Sequence, residues 1–411
     1  MIEKLKTENV GIIPEMEIRF AQRINVVTGD NGLGKTFLLD LAWWALTRTW
    51  SSNKAQPSSP SVKASIEYVV KGTSKSVPVS STYRRSDASW PLKKSRPPKQ
   101  GIVVYVRIDG GFSVWDPARN YWRDDADRPD AFHFDSDQVW SGLSIHGIKV
   151  CEGLERDWVA WQKDDGRPFR ALVNVLKRLS PPGETIRPGP PQRVFLGEGW
   201  DRPTLKIGDQ VVPVALASAG VRRILALAYF LVWSWYEHRQ AAKFLGKTPE
   251  DRYIILFDEP ETHLHPKWQR TVIPSILESL IWLRTSRRSA PQIILATHAP
   301  LVLASLEPLF DPEIDDLLHL HLDGDNIAIS QDCWEKQGDV SNWLVSEVFG
   351  LQQARSSEAE IAIESAEAFM RNEGEYKAES IHERLQKLLP DHDPFWPRWV
   401  MYRENVVNNN D

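Results

Sequence analysis

The residues with the clearest chemical pattern are 29–36, which read GDNGLGKT. An apolar run, 24–28, precedes them, and a helical pattern, 37–44, follows. Glycines let phosphate oxygens approach backbone N–H groups, and the following helix turns its positive end toward the anion. Lys35 would add a cation at the β- and γ-phosphates, and the Thr36 hydroxyl a ligand for Mg²⁺. A G-x-x-x-x-G-K-[ST] pattern between a strand and a helix therefore predicts a site for a nucleoside triphosphate.

Two further apolar runs end in residues that suit phosphate chemistry. Residues 254–261 read IILFDEPE and 295–300 read LATHAP. Asp258 would lie at the carboxyl edge of a parallel sheet and hold Mg²⁺, and Glu259 would deprotonate an attacking water. His298 would reach the same edge, close to the γ-phosphate. The structural alternatives are a solvated turn for the acids and a packing role for the histidine.

Composition indicates a globular protein of two or three structural units. The chain has 411 residues, of which 42% are hydrophobic, and a net charge of −5 that gives no general basic character for nucleic acid. Two cysteines predict neither a disulfide framework nor a zinc site. No leader or membrane-spanning segment is expected, so the predicted location is cytoplasmic. The 18 tryptophans indicate large cores or protein interfaces.

The order of patterns divides the chain into four segments. Residues 1–50 and 195–330 carry the strands and helices of an α/β head, in which parallel strands are buried on both faces. Residues 51–194 are predicted to be a β-rich and helical insertion, with a basic, proline-rich stretch at 93–99 that we interpret as a solvated loop. Residues 331–411 form a helical, Trp-rich tail, whose aromatic cluster around 395–399 is interpreted as a docking surface.

Residues 216–223 read LASAGVRR and open a long helical segment. Such a helix start can present backbone N–H groups to an anion, although an ordinary helix start explains the segment equally well. The chain resembles the ATP-binding-cassette branch of P-loop ATPases. Four of its segments occur in the order found in that branch: GDNGLGKT, LASAGVRR, ILFDEPETHLHP and ATHAP.

The resemblance implies an ABC-type P-loop ATPase head that closes as a dimer on two molecules of ATP with Mg²⁺. It places Ser218, Ala219 and Gly220 of one subunit on the γ-phosphate bound by its partner, although Ala219 and Val221 replace residues that the family favours. Gln138 is a weaker match for the family's metal-contacting glutamine. The ATP-binding residues carried over are Asp30, Asn31, Gly32, Gly34, Lys35, Thr36 and Phe37.

Within that branch, DEPETHLHP resembles stand-alone bacterial ATPases of the overcoming-lysogenization-defect group, which act in defence against phage. The tail and the Trp-rich middle are similar, less specifically, to ATPase subunits of Septu-type and retron-linked systems, which pair with an HNH nuclease. A fused nuclease would need a D-x-D in a further domain. Here Asp323-Gly324-Asp325 is expected to be the turn of a hairpin, so no nuclease activity is expected in this chain.

These observations predict an ATPase that works as a homodimer or higher oligomer and controls a partner effector, such as an HNH-type nuclease, in anti-phage defence. The alternative is a DNA-repair or chromosome-type ATPase that clamps DNA directly. Two other classes, the energy subunit of a membrane transporter and a nuclease in the same chain, fit the motifs less well. No membrane partner is expected.

Overall fold

The computed structural model describes residues 1–72, 76–92, 101–120, 129–284, 290–324, 326–332, 334–371, 373 and 378–408. These residues form two compact units, Met1–Gly338 and Asp339–Asp411. The basic stretch 93–99, Asp325 and Cys333 lie outside the described residues. No helix among the described residues is both long enough and apolar enough to cross a membrane.

The strands and helices alternate irregularly along the chain. The strands are β1 (Ile2–Val10), β2 (Ile13–Arg19), β3 (Ile24–Gly29), β4 (Ser65–Lys71), β5 (Ser76–Thr82), β6 (Ile102–Val106), β7 (Phe112–Trp115), β8 (Phe132–Phe134), β9 (Leu143–Ile145), β10 (Ile148–Cys151), β11 (Arg187–Pro188), β12 (Thr204–Ile207), β13 (Gln210–Pro213), β14 (Tyr253–Asp258), β15 (Gln292–Ala296), β16 (Asp316–Asp323) and β17 (Asn326–Asp332). The α-helices are α1 (Lys35–Thr47), α2 (Gln138–Ser141), α3 (Leu154–Lys163), α4 (Arg167–Leu179), α5 (Ala219–Phe244), α6 (Pro266–Gln269), α7 (Val272–Leu283), α8 (Pro300–Leu306), α9 (Val340–Val345), α10 (Ser357–Met370), α11 (Ala378–Leu388) and α12 (Trp396–Asn408). Two short 3-10 helices lie at Arg85–Asp87 and Val214–Leu216.

An eight-stranded sheet forms the centre of the first unit, in the order β17-β16-β3-β15-β14-β6-β7-β8. The five strands from β16 to β6 are parallel, and each strand outside them pairs antiparallel with its neighbour. Every residue of β3, β14 and β15 is buried, as expected for strands covered on both faces. The predicted α/β fold class is therefore confirmed, and the carboxyl ends of its parallel strands share one edge.

A second, antiparallel sheet in the order β2-β1-β4-β5 forms another layer. Helix α1 contributes to a single hydrophobic core with residues of both sheets. Trp43 and Trp44 on this helix are almost fully buried. Trp44 stacks on Trp50 with ring centroids 5.4 Å apart and meets the edge of Tyr68 at 5.6 Å. Aromatic packing of this kind fixes the helix that begins with Lys35.

The predicted insertion does not lie wholly apart from the head. Strand β6 pairs with β14 in parallel, and β7 and β8 extend the same sheet. The five residues of β6 are all buried, and their unbroken apolar run has the character that predicted β14 and β15. The polar residues that flank β6 made it look like part of a separate insertion. Flanking residues isolate a strand along the sequence but do not determine which strand it pairs with.

The second unit is helical and has its own core. Residues of α10, α11, α12 and the segment between α11 and α12 form this core, including Ile363, Leu385, Phe395 and Trp399. Phe395 and Trp399 are 8% and 0% exposed, so the interpretation of this aromatic cluster as a docking surface is wrong. Asp393, in the same stretch, pairs with the guanidinium of Arg355.

Strands β16 and β17 form the hairpin expected at the D-G-D triplet. Asp323 pairs with Asn326, and Gly324 between them has a φ of 60°. This left-handed conformation suits glycine in a tight turn. The described part of the triplet is therefore a turn at the sheet's edge.

Candidate nucleotide site

The predicted phosphate loop leaves β3 at Gly29 and enters α1 at Lys35. Gly29, Gly32 and Gly34 have φ values of 133°, 85° and 97°, which glycine adopts without strain. A Cβ at Gly29 would also lie 2.1 Å from a backbone oxygen of β16. The Lys35 ammonium donates hydrogen bonds to the backbone oxygens of Gly29 at 2.7 Å and Asp30 at 3.0 Å. The loop therefore curls around the lysine, as the motif predicts.

Burial and nearby carboxylates act on Lys35 in opposite directions. Its side chain is buried, and this burial lowers the pKa of the ammonium group, while the carboxylates of Glu259, Asp30, Asp258 and Glu261 oppose the shift. Three of those four acids belong to the segment at and just after the end of β14. The lysine ammonium therefore lies close enough to the second predicted motif to interact with its carboxylates.

The other predicted ATP-contacting residues lie in the loop or just after it. Asp30 and Asn31 are exposed, and a Cβ on Gly32 would meet no atom of the described residues within 4 Å. The ring of Phe37 packs against Gly11, where an added Cβ would lie 2.4 Å from it. Because Phe37 lies in the first turn of α1, its backbone N–H has no partner within the helix and is the group suited to a phosphate.

Thr36 and Asp258 join the first two predicted motifs directly. The Thr36 hydroxyl donates a hydrogen bond of 2.9 Å to Oδ2 of Asp258. The other carboxylate oxygen, Oδ1, is buried and has no hydrogen-bond partner in the part of the chain that the structure describes. Burial raises the pKa of Asp258 from 3.8 to about 6, although the bond from Thr36 lowers it. A buried carboxylate oxygen without a partner, beside a threonine hydroxyl, fits a Mg²⁺ ion, which favours oxygen ligands.

Glu259 adopts a backbone conformation that is unusual for a residue with a side chain. Its φ is 47°, in the left-handed region, which costs on the order of 1 kcal/mol or more outside glycine. Its N–H donates to the backbone oxygen of Ala296 on β15 at 2.9 Å. The Thr262 hydroxyl lies 3.4 Å from its Oε2. The local turn thus holds the carboxylate at the edge where β14 and β15 end.

His298 lies beside two glutamates. Its Nδ1 is 3.2 Å from Oε1 of Glu259 and 3.5 Å from Oε1 of Glu261. Oε1 of Glu261 also accepts hydrogen bonds from the Thr297 hydroxyl at 2.8 Å and the His298 N–H at 3.0 Å. Burial raises the pKa of Glu261. The sequence motifs predicted no role for Glu261, although an acid three residues beyond the end-of-strand aspartate is a usable signal.

The segment 218–220 begins α5, as predicted. The Ser218 hydroxyl oxygen accepts a hydrogen bond from the Val221 N–H at 3.4 Å and caps the helix, and Ala219 is the first helical residue. A Cβ on Gly220 would lie 2.7 Å from the backbone oxygen of His263. Glycine is therefore required here because the start of α5 closely approaches the loop that follows β14.

Gln138 occupies a different kind of position. It begins the short helix α2, which follows β8 at the edge of the central sheet. Its side-chain oxygen accepts from the Asp135 N–H at 3.1 Å, and its own N–H donates to the Asp135 carboxylate at 2.7 Å. These two reciprocal hydrogen bonds resemble those of a capping box, although the residue at the N-cap of α2 is Asp137. The role of Gln138 as a metal ligand stays a prediction.

Two family models match the parts of the chain that form this site. Residues 170–303 match a family described as AAA ATPase domain, and residues 4–111 match one described as AAA domain. The first match contains 258–261 and 298, and the second contains the phosphate loop. Together with the geometry of the loop, these matches define the protein as a P-loop ATPase, which confirms the predicted enzyme class.

Curated relatives narrow the comparison. The chain is 21% identical over 417 residues to the Septu protein PtuA of Bacillus thuringiensis, a match that covers 96% of this chain and 95% of that protein. A shorter match, 40% identical over 53 residues, links it to the Retron Vc95 probable ATPase of Vibrio cholerae serotype O1 biovar El Tor, covering 13% of this chain and 9% of that protein. The expected resemblance to Septu-type and retron-linked ATPases is confirmed.

Solved structures with distant similarity are also found. An SMC head domain from Thermotoga maritima aligns with a TM-score of 0.42 and 14% identity, covering 81% of this chain and 99% of that one. The recombination mediator protein RecF aligns with a TM-score of 0.38 and 10% identity, covering 77% and 95%.

The raised pKa of Asp258 predicts a pH-dependent cost of its charge. We expect Asp258→Asn to stabilise the protein at pH 7.5 and to leave its stability unchanged near pH 3.5. Because folding raises the pKa of Asp258 from 3.8 to about 6, the folded protein binds this proton more tightly than the unfolded chain does. The stability that the bound proton contributes is fully present below pH 3.8 and is lost as the pH rises through about 6. A shift of this size corresponds to at most about 3 kcal/mol.

The measurement is denaturant unfolding of both proteins across this pH range, with EDTA and without nucleotide. Asp209→Asn is the matched control, because Asp209 is exposed in the turn between β12 and β13. Lower stability of Asp258→Asn at pH 7.5 would contradict the prediction.

Proposed function

We propose that the protein binds ATP with Mg²⁺ at the edge formed by β3, β14 and β15 and hydrolyses it there to control a partner effector. The observation that carries this proposal is the 2.9 Å hydrogen bond from Thr36 to Asp258. It brings the end of the phosphate loop onto the carboxylate of a second motif, with Glu259 next in the chain. The matched ATPase families support the same activity.

Each residue has a distinct task in the proposed reaction. Lys35 and the N–H groups at the start of α1 bind the β- and γ-phosphates. Thr36 and Asp258 hold Mg²⁺, which when bound neutralises charge on the phosphates. The Glu259 carboxylate takes a proton from water as the water oxygen bonds to the γ-phosphorus and the bond to the bridging oxygen of ADP breaks.

His298 and Glu259 lie in contact in the structure. Their contact of 3.2 Å places the imidazole beside the proposed base. With 46% of its side chain exposed, His298 is accessible to a γ-phosphate. Pre-organised charge of this kind is an effective way to stabilise a phosphoryl-transfer transition state.

The proposed second half of the site comes from another copy of the chain. Ser218, Ala219 and Gly220 start a helix of 26 residues, whose N-terminal N–H groups and dipole favour an anion. In the proposed dimer these residues touch the γ-phosphate bound by Lys35 of the partner subunit. The family resemblance of the four motifs supports this arrangement.

The proposed biological role is defence against phage, with the effector a separate protein such as an HNH-type nuclease. The support is the similarity to the Septu protein over 96% of this chain, together with the shorter match to a retron ATPase. ATP binding and hydrolysis would then switch the effector between two states.

The first prediction concerns the proposed base. Glu259→Gln is expected to keep ATP affinity within about twofold and to lower kcat at least a hundredfold, because the amide cannot accept the proton of water. Phosphate release and equilibrium binding of a fluorescent ATP analogue measure the two quantities. Glu67→Gln, at an exposed position on β4, should behave as wild type. Undiminished phosphate release by Glu259→Gln would exclude it as the base.

The second prediction tests whether the site is shared between subunits. Lys35→Ala should lose ATP binding, and Ser218→Arg should block the helix start, so each homodimer should be inactive. Each mixed dimer holds one site that combines wild-type Lys35 with wild-type Ser218 and one site that carries both substitutions. Because about half of the dimers are mixed after subunit exchange, mixing should restore roughly a quarter of wild-type phosphate release. If mixed and unmixed variants are equally inactive under conditions that exchange subunits, the shared site is contradicted.

The third prediction concerns the effector. Expressed with the products of its neighbouring genes, the protein should copurify with a nuclease and reduce phage plating, and Lys35→Ala should abolish the protection. Permease genes in the same position would instead favour a transporter.

The protein purified alone should show no ATP-linked affinity for duplex DNA. A steep, salt-dependent affinity would favour the DNA-clamping alternative.

A further inference from the structure

Glu261 lies behind the proposed catalytic pair. It is 6% exposed, whereas the side chain of His298 beside it is 46% exposed. Its Oε2 is buried and has no hydrogen-bond partner among the described residues. A buried carboxylate in this state is costly, so its presence needs a local reason. Because Glu261 is buried and contacts the exposed His298, we consider its effect on the histidine rather than on ATP.

The contacts of Glu261 tie together three strand ends. Its Oε1 accepts from the Thr297 hydroxyl and the His298 N–H. The Thr297 N–H donates to the backbone oxygen of Val27 on β3 at 3.0 Å, just before the phosphate loop. The Thr297 hydroxyl oxygen accepts from the Ala299 N–H at 3.1 Å, where α8 begins. Glu261 therefore fixes the backbone that carries the imidazole.

The two carboxylates lie beside the same ring nitrogen of His298. Oε1 of Glu259 and Oε1 of Glu261 are 3.2 and 3.5 Å from Nδ1. An ionised carboxylate only accepts hydrogen bonds, so an ionised Glu259 or Glu261 favours the tautomer that carries its hydrogen on Nδ1. Nε2, on the far side of the ring, is then the atom available to a phosphate or to the attacking water.

We propose that Glu261 is a positioning residue for ATP hydrolysis: it anchors the 297–298 backbone and directs the His298 Nδ1–H toward Glu259. This inference rests on the proposed roles of Glu259 and His298. Glu261 acts through the histidine, so its contribution should disappear when the imidazole is absent. A carboxylate that only stabilised the fold would contribute equally with or without it.

The test is a double-mutant cycle between Glu261→Gln and His298→Ala. Glutamine keeps an oxygen for Thr297 but removes the negative charge beside Nδ1. Glu261→Gln alone should lower kcat about tenfold with KM for ATP within twofold, and in the His298→Ala background it should change kcat by less than twofold. An unchanged kcat, or the same fold-loss in both backgrounds, would overturn the proposal.

A second pair of variants covers the case in which Glu261→Gln does not fold. Thr297→Val removes the hydroxyl that donates to Glu261, and Thr297→Ser retains it as a control. We expect Thr297→Val to lower kcat in the wild-type background only, and Thr297→Ser to preserve it. Equal activity of both Thr297 variants would count against the anchor.

Nitrogen NMR of His298 gives a readout that is independent of turnover. In the wild type Nδ1 should carry the hydrogen, and Glu261→Gln, or Thr297→Val if that variant is used, should shift the population toward the other tautomer. An unaltered histidine spectrum would overturn the positioning role even if activity fell. If Glu259→Gln retained turnover, the proposed role of Glu259 as the base would be wrong. If Glu259→Gln were inactive but Glu261→Gln fully active, only the positioning role of Glu261 would be wrong.

Discussion

The register of three parallel strands is the constraint on which the site depends. Val27 of β3 lies opposite Ala296 of β15, which lies opposite Asp258 of β14. Each residue is at or near the end of its strand, so the polar residues that follow leave the sheet side by side. Hydrogen bonds between backbones therefore align the phosphate loop with two motifs that lie more than two hundred residues later in the sequence. A one-residue shift in any pair would separate them.

Helix α1 transmits that alignment to the phosphate loop. It shares a hydrophobic core with both sheets, and Trp43 and Trp44 bury large surfaces there. Burial of one such side chain contributes on the order of 2 kcal/mol or more. This packing opposes the cost of placing Lys35 and Asp258 out of water at the same edge. Trp43 and Trp44 are thus structural supports for the site.

Several features were predictable because they follow from local rules. An unbroken apolar run indicates a buried strand, and residues directly after it must lie at the sheet's edge, which placed Asp258, Glu259 and His298 correctly. The position of β6 within the sheet was not predictable in this way, since strand pairing is a long-range choice. The burial of Phe395 and Trp399 depends on how the helices of the second unit pack together. The hydrogen bonds between Gln138 and Asp135 depend on the turn that brings these two residues side by side.

The glutamate at 261 illustrates a different limit. Its sequence context, DEPE, indicates only another acid near a strand end. Its relation to His298 exists because β14 and β15 are neighbours in the sheet, and no spacing along the chain encodes that.

The closeness of Gly220 to the carbonyl of His263 has a mechanical consequence. With backbone packed against backbone, the start of α5 and the loop after β14 have no compliant side chain between them to absorb a displacement. A shift of either segment toward the other is therefore resisted by backbone rather than by an adaptable side chain. The helix that starts at this contact has 26 residues, so its other end, at Phe244, lies more than thirty ångströms away by helical rise.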